Sequence, residues 1–248
     1  MRDLVYPPVI GFAKAAFKVL DLKIRLTGTE NVPRTGGAVI ALNHISYVDF
    51  ILGGFGAVES KRLVRFMAKD VLFRNRYSGP LMRGMHHIPV DRSAGTASYR
   101  EAIRYLNEGE IVGVFPEATI SRSFELKEFK SGTVRMAAEA GVPVIPLILW
   151  GTQRMLTKDH PRDFSRHRAI AITVGEPITV GADDDPAEAT AHLRTTMAGM
   201  LDRTIRDYPE QPAGAWWLPA SYGGAAPTPE EAERLDREEL ARRAARRK

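Results

Sequence analysis

The chain has 248 residues, 44% of them hydrophobic and 26% charged, the proportions of a folded body, and a length that one large α/β domain with appendages can use. It contains no cysteine, which excludes disulfides, thiolate metal sites and a cysteine nucleophile. The formal charge of +5 favours anionic partners such as a phosphate-bearing substrate or an acidic lipid surface. A nucleic-acid partner is not expected, since no recognised motif or aromatic-interleaved basic stripe accompanies the charge.

No apolar run approaches the ~18 residues of a membrane span. The N-terminal LVYPPVIGFA has two prolines and no basic n-region of the signal-peptide kind. The expectation is a cytoplasmic protein, soluble or lying on a membrane. Over 9–22, Ile10, Phe12, Ala13, Phe17, Val19 and Leu20 recur at helical spacing beside Lys14, Lys18 and Asp21. Residues 1–22 therefore form an amphipathic helix, open to two readings: lying in an anionic membrane interface, or packed on its own domain.

LKIRLTG (22–28) alternates like a strand, and AVIALN (38–43) reads as a buried one. Asp49 opens a short helix, DFILGGFGA, where an acid also serves as N-cap. Further strands are predicted at LVRFMA, HHIPVD, EIVGVF, VPVIPLILW and AIAITVG, and helices over 70–75, 97–107, 133–140 and 186–207. This alternation predicts an α/β body over 23–207, with a mixed, largely parallel sheet flanked by helices. From 208 to 248 follow a Pro/Gly-rich linker with Trp216 and Trp217, then a charged helix. Thr228 is its N-cap, Pro229 its first residue, and Glu231 completes a capping box. The tryptophans either wedge into an interface or pin the tail to the body.

Histidine stands five residues before aspartate twice, in NHISYVD (43–49) and HHIPVD (86–91). Strand side chains alternate faces, so a strand over HHIPVD separates His86 from Asp91. The first copy spans a strand end, a turn and a helix start, which lets Asp49 fold back on His44. A neutral imidazole so oriented can take a proton from a hydroxyl. Ser46 lacks a nucleophile-elbow context and reads as a turn residue, and no HExxH or clustered-acid pattern implies a metal.

FPEATISRS (115–123) follows a strand and places Glu117, Thr119 and Ser121 at its C-terminal end, where α/β sites lie. IPVDR leaves Arg92 beyond its own strand, a residue suited to gripping phosphate, with Lys69, Arg122 and Lys130 as further candidates.

The order Asn43-His44-x4-Asp49, then Lys69 and GMHHIPVDR, then FPEATIS with EFKSG, then VPVIP, resembles the glycerolipid acyltransferase family that makes phosphatidic acid from lysophosphatidic acid. The likeness covers about residues 25 to 180. It implies that His44 is the base, Asp49 its partner, and that a substrate hydroxyl attacks an acyl-CoA or acyl carrier protein thioester directly, with no cofactor. It also implies that Arg92 and the Glu117–Thr119 block, with Lys69, Arg122 and Lys130, bind the acceptor phosphate. Asn43, Gly84, Phe115, Pro116 and Ser121 support the motifs, while Pro143 and Pro146 help shape the acyl site. Expected partners are the thioester, lysophosphatidate and the anionic inner face of the cell membrane.

Two positions depart from the family's third block: Ala118 stands where it usually has glycine, and Ile120 where it usually has arginine. Arg122 or Lys130 is then expected to supply the missing charge, or the acceptor is another lysophospholipid or a glycolipid hydroxyl. A non-catalytic lipid-binding protein is the alternative of a different class.

Overall fold

The computed structural model describes residues 3–91 and 95–245. Among them, seven strands form one sheet: β1 (Lys23–Thr27), β2 (Ala38–Leu42), β3 (Val64–Lys69), β4 (Ile88–Val90), β5 (Ile111–Val114), β6 (Val144–Trp150) and β7 (Ala169–Val174). Their order is β1-β7-β6-β2-β5-β3-β4. Every neighbouring pair is parallel except β6 with β7, as the mixed, largely parallel sheet read from the sequence requires.

The central strands are apolar throughout because helices cover both faces. Every residue of β2 and of β6 is buried, and their side chains alternate between two cores. Val39, Ala41, Ile148 and Trp150 face one core, and Ala38, Ile40, Leu42, Leu147 and Leu149 face the other. Pro146 is tolerated because its carbonyl accepts the Gly175 N–H and pairing with β7 begins only at Leu147, so the absent donor removes no ladder bond.

The helices are α1 (Tyr6–Val19), α2 (Asp49–Gly53), α3 (Val71–Arg74), α4 (Ser78–Gly84), α5 (Gly95–Asn107), α6 (Gly132–Ala140), α7 (Pro186–Arg206) and α8 (Pro229–Ala245). α5, α6 and α7 cover the first core and α2 part of the second. Of the predicted 1–22, α1 occupies Tyr6–Val19, and the helical spacing read from Val9 extends back to Tyr6, since Pro7 and Pro8 fall in the first turn, where a missing N–H costs nothing. It packs on the body through Phe17, Leu20 and the buried Tyr6, yet leaves Phe12 (78%) and Val19 (71%) exposed.

Three predictions are corrected. HHIPVD is strand only over Ile88–Val90, and His86 takes a left-handed φ of 55°, so strand parity does not reach it. The predicted helices omit α4 (Ser78–Gly84), whose Pro80 lies in the first helical turn, where it fits. The segment after α7 is no free linker: Tyr208, Trp217, Leu218 and Ala226 are buried in the first core. Trp216 stacks on His160 at 3.9 Å and Arg154 lies 4.3 Å over the Trp217 ring, so the tryptophans pin the tail to the body.

Candidate active site

β2, β5 and β6 run parallel, so their C-terminal ends share one edge of the sheet and the loops leaving them meet there. NHISYVD leaves β2, FPEATIS leaves β5 and GTQRMLT leaves β6. Asn43 begins the first loop fully buried, its amide donating to the Leu149 carbonyl (3.0 Å) and accepting the Leu149 N–H (2.7 Å). A side chain thereby extends the β2–β6 ladder by one step, which fixes where the chain leaves the sheet.

His44 follows, held on three sides. Its backbone N–H donates to Glu117 Oε1 at 2.9 Å, its carbonyl accepts the Ser121 N–H at 2.8 Å, and its ring stacks on Phe115 with centroids 4.2 Å apart. Nδ1 lies 3.0 Å from Asp49 Oδ2. Asp49 is fully buried whereas the histidine side chain is 21% exposed.

The sequence placed Asp49 as an N-cap. It is instead the first residue of α2, with Val48 at the cap. Its carboxylate turns backward: Oδ2 also accepts the backbone N–H groups of Ile45 and Ser46, each at 2.7 Å, and Oδ1 accepts the Thr152 hydroxyl at 2.6 Å. Four donors offset the cost of burying the carboxylate and fix its orientation. As Asp49 accepts the Nδ1 proton, the tautomer leaves Nε2 with the free lone pair. Ser46 is a turn residue, its hydroxyl donating to the Leu156 carbonyl at 2.6 Å and accepting the Val48 N–H.

The second loop is shaped by its own residues. Pro116 cannot continue a ladder and ends β5. Ala118 takes φ 59°, the left-handed conformation that a Cβ penalises, which accounts physically for the glycine usual there. Glu117 lies beneath the turn with both carboxylate oxygens on backbone N–H groups, those of His44 and of Lys127 (3.2 Å). Burial pushes its pKa up to about 8, outweighing the lowering by those two donors.

The expectation that Glu117 binds the acceptor is corrected accordingly: buried, with both oxygens occupied, it positions the backbone of His44. The guanidinium of Arg122 is buried and paired with Asp159, Asp236 and Glu239, the last two on α8, so with α8 seated it does not stand open to a phosphate. Thr119 is half-buried and accepts from Lys127 Nζ at 2.8 Å, while Ser121 is buried, donating to the Glu125 carbonyl. Lys130 is exposed, its N–H donating to the Pro116 carbonyl. Lys69 is exposed at the end of β3, and Arg92 lies outside the described residues. Gly84 serves packing, since a Cβ there would come 2.6 Å from Val5. Pro143 accepts the Val39 N–H through its carbonyl.

Sequence reasoning missed Thr152, Lys127 and Lys158. Thr152 had a usable signal, since GTQ follows the C-terminal end of a predicted strand. Lys127 and Lys158 had none, because their partners lie 109 and 78 residues away on α8. A cleft of about 870 Å³ lined by Tyr99, Arg135, Glu139 and Asp184 among others contains none of the residues above, so the site is assigned on polar geometry, not on concavity.

Comparison with known proteins agrees with this geometry. The family model described as Acyltransferase matches residues 23–150, just over half of the chain. A 1-acyl-sn-glycerol-3-phosphate acyltransferase of Bacillus subtilis is 32% identical over 169 residues, which is 67% of this chain and 80% of that one. One from Borreliella burgdorferi is 30% identical over 59% of this chain and 58% of its own length. Among solved structures, the 1-acyl-sn-glycerophosphate acyltransferase PlsC of Thermotoga maritima superposes with TM-score 0.68 at 22% identity, over 82% of this chain and 81% of that one, a likeness of fold. The chain belongs to the acyltransferase family.

Proposed function

We propose that the protein transfers a fatty acyl chain from a thioester carrier, acyl-CoA or acyl carrier protein, to the free sn-2 hydroxyl of 1-acyl-glycerol-3-phosphate, giving phosphatidic acid. The observation that carries this reading is the partly exposed His44 ring, with Nδ1 at 3.0 Å from a fully buried Asp49. Nε2 takes the proton of the acceptor hydroxyl as its oxygen attacks the thioester carbonyl. The tetrahedral intermediate then collapses, the C–S bond breaks, and the imidazolium returns the proton to the leaving thiolate. Asp49 stabilises the transient imidazolium, and its four donors keep it from swinging away. Glu117 and Ser121 hold the backbone of His44, which keeps the ring aligned.

The acceptor is supported by the names of the B. subtilis and B. burgdorferi relatives. Lys69, Lys130 and Arg92 are its proposed phosphate contacts. Peripheral attachment to the inner face of the cell membrane is supported by the exposed Phe12 and Val19 of α1, flanked by Lys14 and Lys18, and by the exposed Val71 and Leu72 of α3, Tyr77 just before α4 and Leu81 within it. Among the described residues, no helix is long and apolar enough to cross a membrane. Incubation with palmitoyl-CoA and a panel of lysophosphatidate, other lysophospholipids and glycolipids, following CoA release, tests the assignment. Release with lysophosphatidate is expected; release only with another acceptor reassigns the substrate, and none with any acceptor removes the enzymatic reading.

A further inference from the structure

Three cations converge beside the loop that holds His44. Arg122 and Lys158 are nearly buried, with side chains 6% and 13% exposed, and Lys127 is 29% exposed. All three reach one carboxylate, Asp236 of α8: Lys158 Nζ at 3.0 Å, Lys127 Nζ at 2.5 Å, and Arg122 through Nη1. Arg122 and Lys158 also reach Glu239, at 3.0 and 3.3 Å. Beyond these two tail acids, the paired carboxylate of the cluster is Asp159, which takes Arg122 Nε at 2.6 Å and is 61% exposed.

The cluster adjoins the catalytic machinery. The backbone N–H of Lys127 donates to Glu117 Oε2, whose other oxygen holds the His44 N–H, and Lys127 Nζ touches Thr119 of the same loop. α8 itself is seated with little apolar burial. Ala232 and Leu235 join Asp236 and Glu239 on its inward face, so ion pairs carry most of the docking.

We propose that Arg122, Lys127 and Lys158 form a binding site for a phosphomonoester dianion, and that Asp236 and Glu239 of the tail helix occupy it in place of that ligand. One carboxylate engaged by three cations imitates the multiple acceptor oxygens of a phosphate. With α8 lifted away, Asp159 is the carboxylate still ion-paired with the cluster among the described residues, and three cations against it leave a residual charge of two, which matches a phosphate dianion. The phosphate arrives either on the glycerophosphate acceptor or as the 3′-phosphate of coenzyme A. This identification of sources rests on the acyl-transfer reading above, whereas the test below uses no turnover.

Titration of full-length protein with glycerol 3-phosphate, inorganic phosphate, coenzyme A and 3′-dephospho-coenzyme A separates the sources. In the Asp236→Asn/Glu239→Gln variant, affinity for at least one phosphomonoester should rise by about tenfold or more over the wild type, because the competing carboxylates no longer hold the competent state closed. Adding Lys158→Ala to that variant should abolish the gain. A gain with glycerol 3-phosphate assigns the acceptor, and a gain with coenzyme A but not its dephospho form assigns the donor. Unchanged affinity for all four ligands, with only the melting temperature lowered, overturns the proposal and leaves a structural staple. Should the variant not fold, hydrogen exchange on the wild type decides: phosphomonoester should accelerate exchange of the α8 amides where glycerol does not, and no acceleration overturns it.

Discussion

The carboxylate of Glu117 accepts the backbone N–H of His44 at 2.9 Å, so the acid that follows β5 holds the histidine that follows β2. Its burial, with a pKa pushed up to about 8, gives the pair a distinct pH signature. A pKa raised on folding adds stability that is fully present below the unfolded value of about 4.5 and is lost as pH climbs through about 8. The whole span corresponds to several kcal/mol, at about 1.4 kcal/mol per unit. Glu117→Gln stays neutral but offers one acceptor oxygen to two N–H donors, at a cost of about 1–3 kcal/mol. Thermal unfolding should therefore show the variant less stable at pH 5, with the gap closing and then reversing toward pH 9. Parallel pH profiles for the two proteins would contradict this.

Thr152→Val removes the hydroxyl that donates to Asp49 Oδ1 at nearly constant volume. One buried carboxylate oxygen is left unsatisfied, so stability should fall by about 1–3 kcal/mol and kcat by roughly tenfold, as Asp49 loses one of its anchors. Steady-state kinetics beside an unfolding curve measure both. A variant as active and as stable as the wild type would show that Thr152 has no positioning role.

Ala118 occupies a left-handed backbone position at φ 59°. Ala118→Gly should raise stability by about 1 kcal/mol, or roughly 2–4 °C in Tm for a chain of this size. Calorimetry gives the answer directly, and a lower Tm would mean that the loop is not strained there.

How much of this was legible in the sequence follows the range of the interactions. NHISYVD could be read because the end of β2, the turn and the start of α2 are contiguous, and the pairing of His44 with Asp49 spans five residues. α7 was legible for the same reason: Asp185 caps it by accepting the Ala187 N–H and Pro186 starts it. The capping box of Thr228 and Glu231 forms as read. Glu117 was recognised as a site residue but not as the support of His44, 73 residues away, and the pairing of Arg122 with Asp236, 114 residues away, could not be read. A charged residue looks the same in sequence whether it faces a ligand or a distant carboxylate of its own chain. β4 was overextended because HHIPVD was read as strand from His86, where the chain takes a left-handed turn instead.

Membrane attachment is best tested on the surface of α1 and not by deleting it, because Tyr6 donates to the Val64 carbonyl and Asp3 pairs with the buried Arg65. Phe12→Ser with Val19→Ser should leave the Tm unchanged and weaken binding to anionic vesicles by roughly 100-fold, the equivalent of about 3 kcal/mol of lost apolar burial. Undiminished flotation would clear this helix face of the role.

The measurement that bears most directly on the proposed chemistry is CoA release from palmitoyl-CoA in the presence of lysophosphatidate, compared between the wild type and a folded His44→Ala variant. Loss of the general base should lower the rate by roughly 10³-fold or more while the melting temperature stays close to that of the wild type. Release at the wild-type rate from folded His44→Ala would contradict the assignment of His44 as the base.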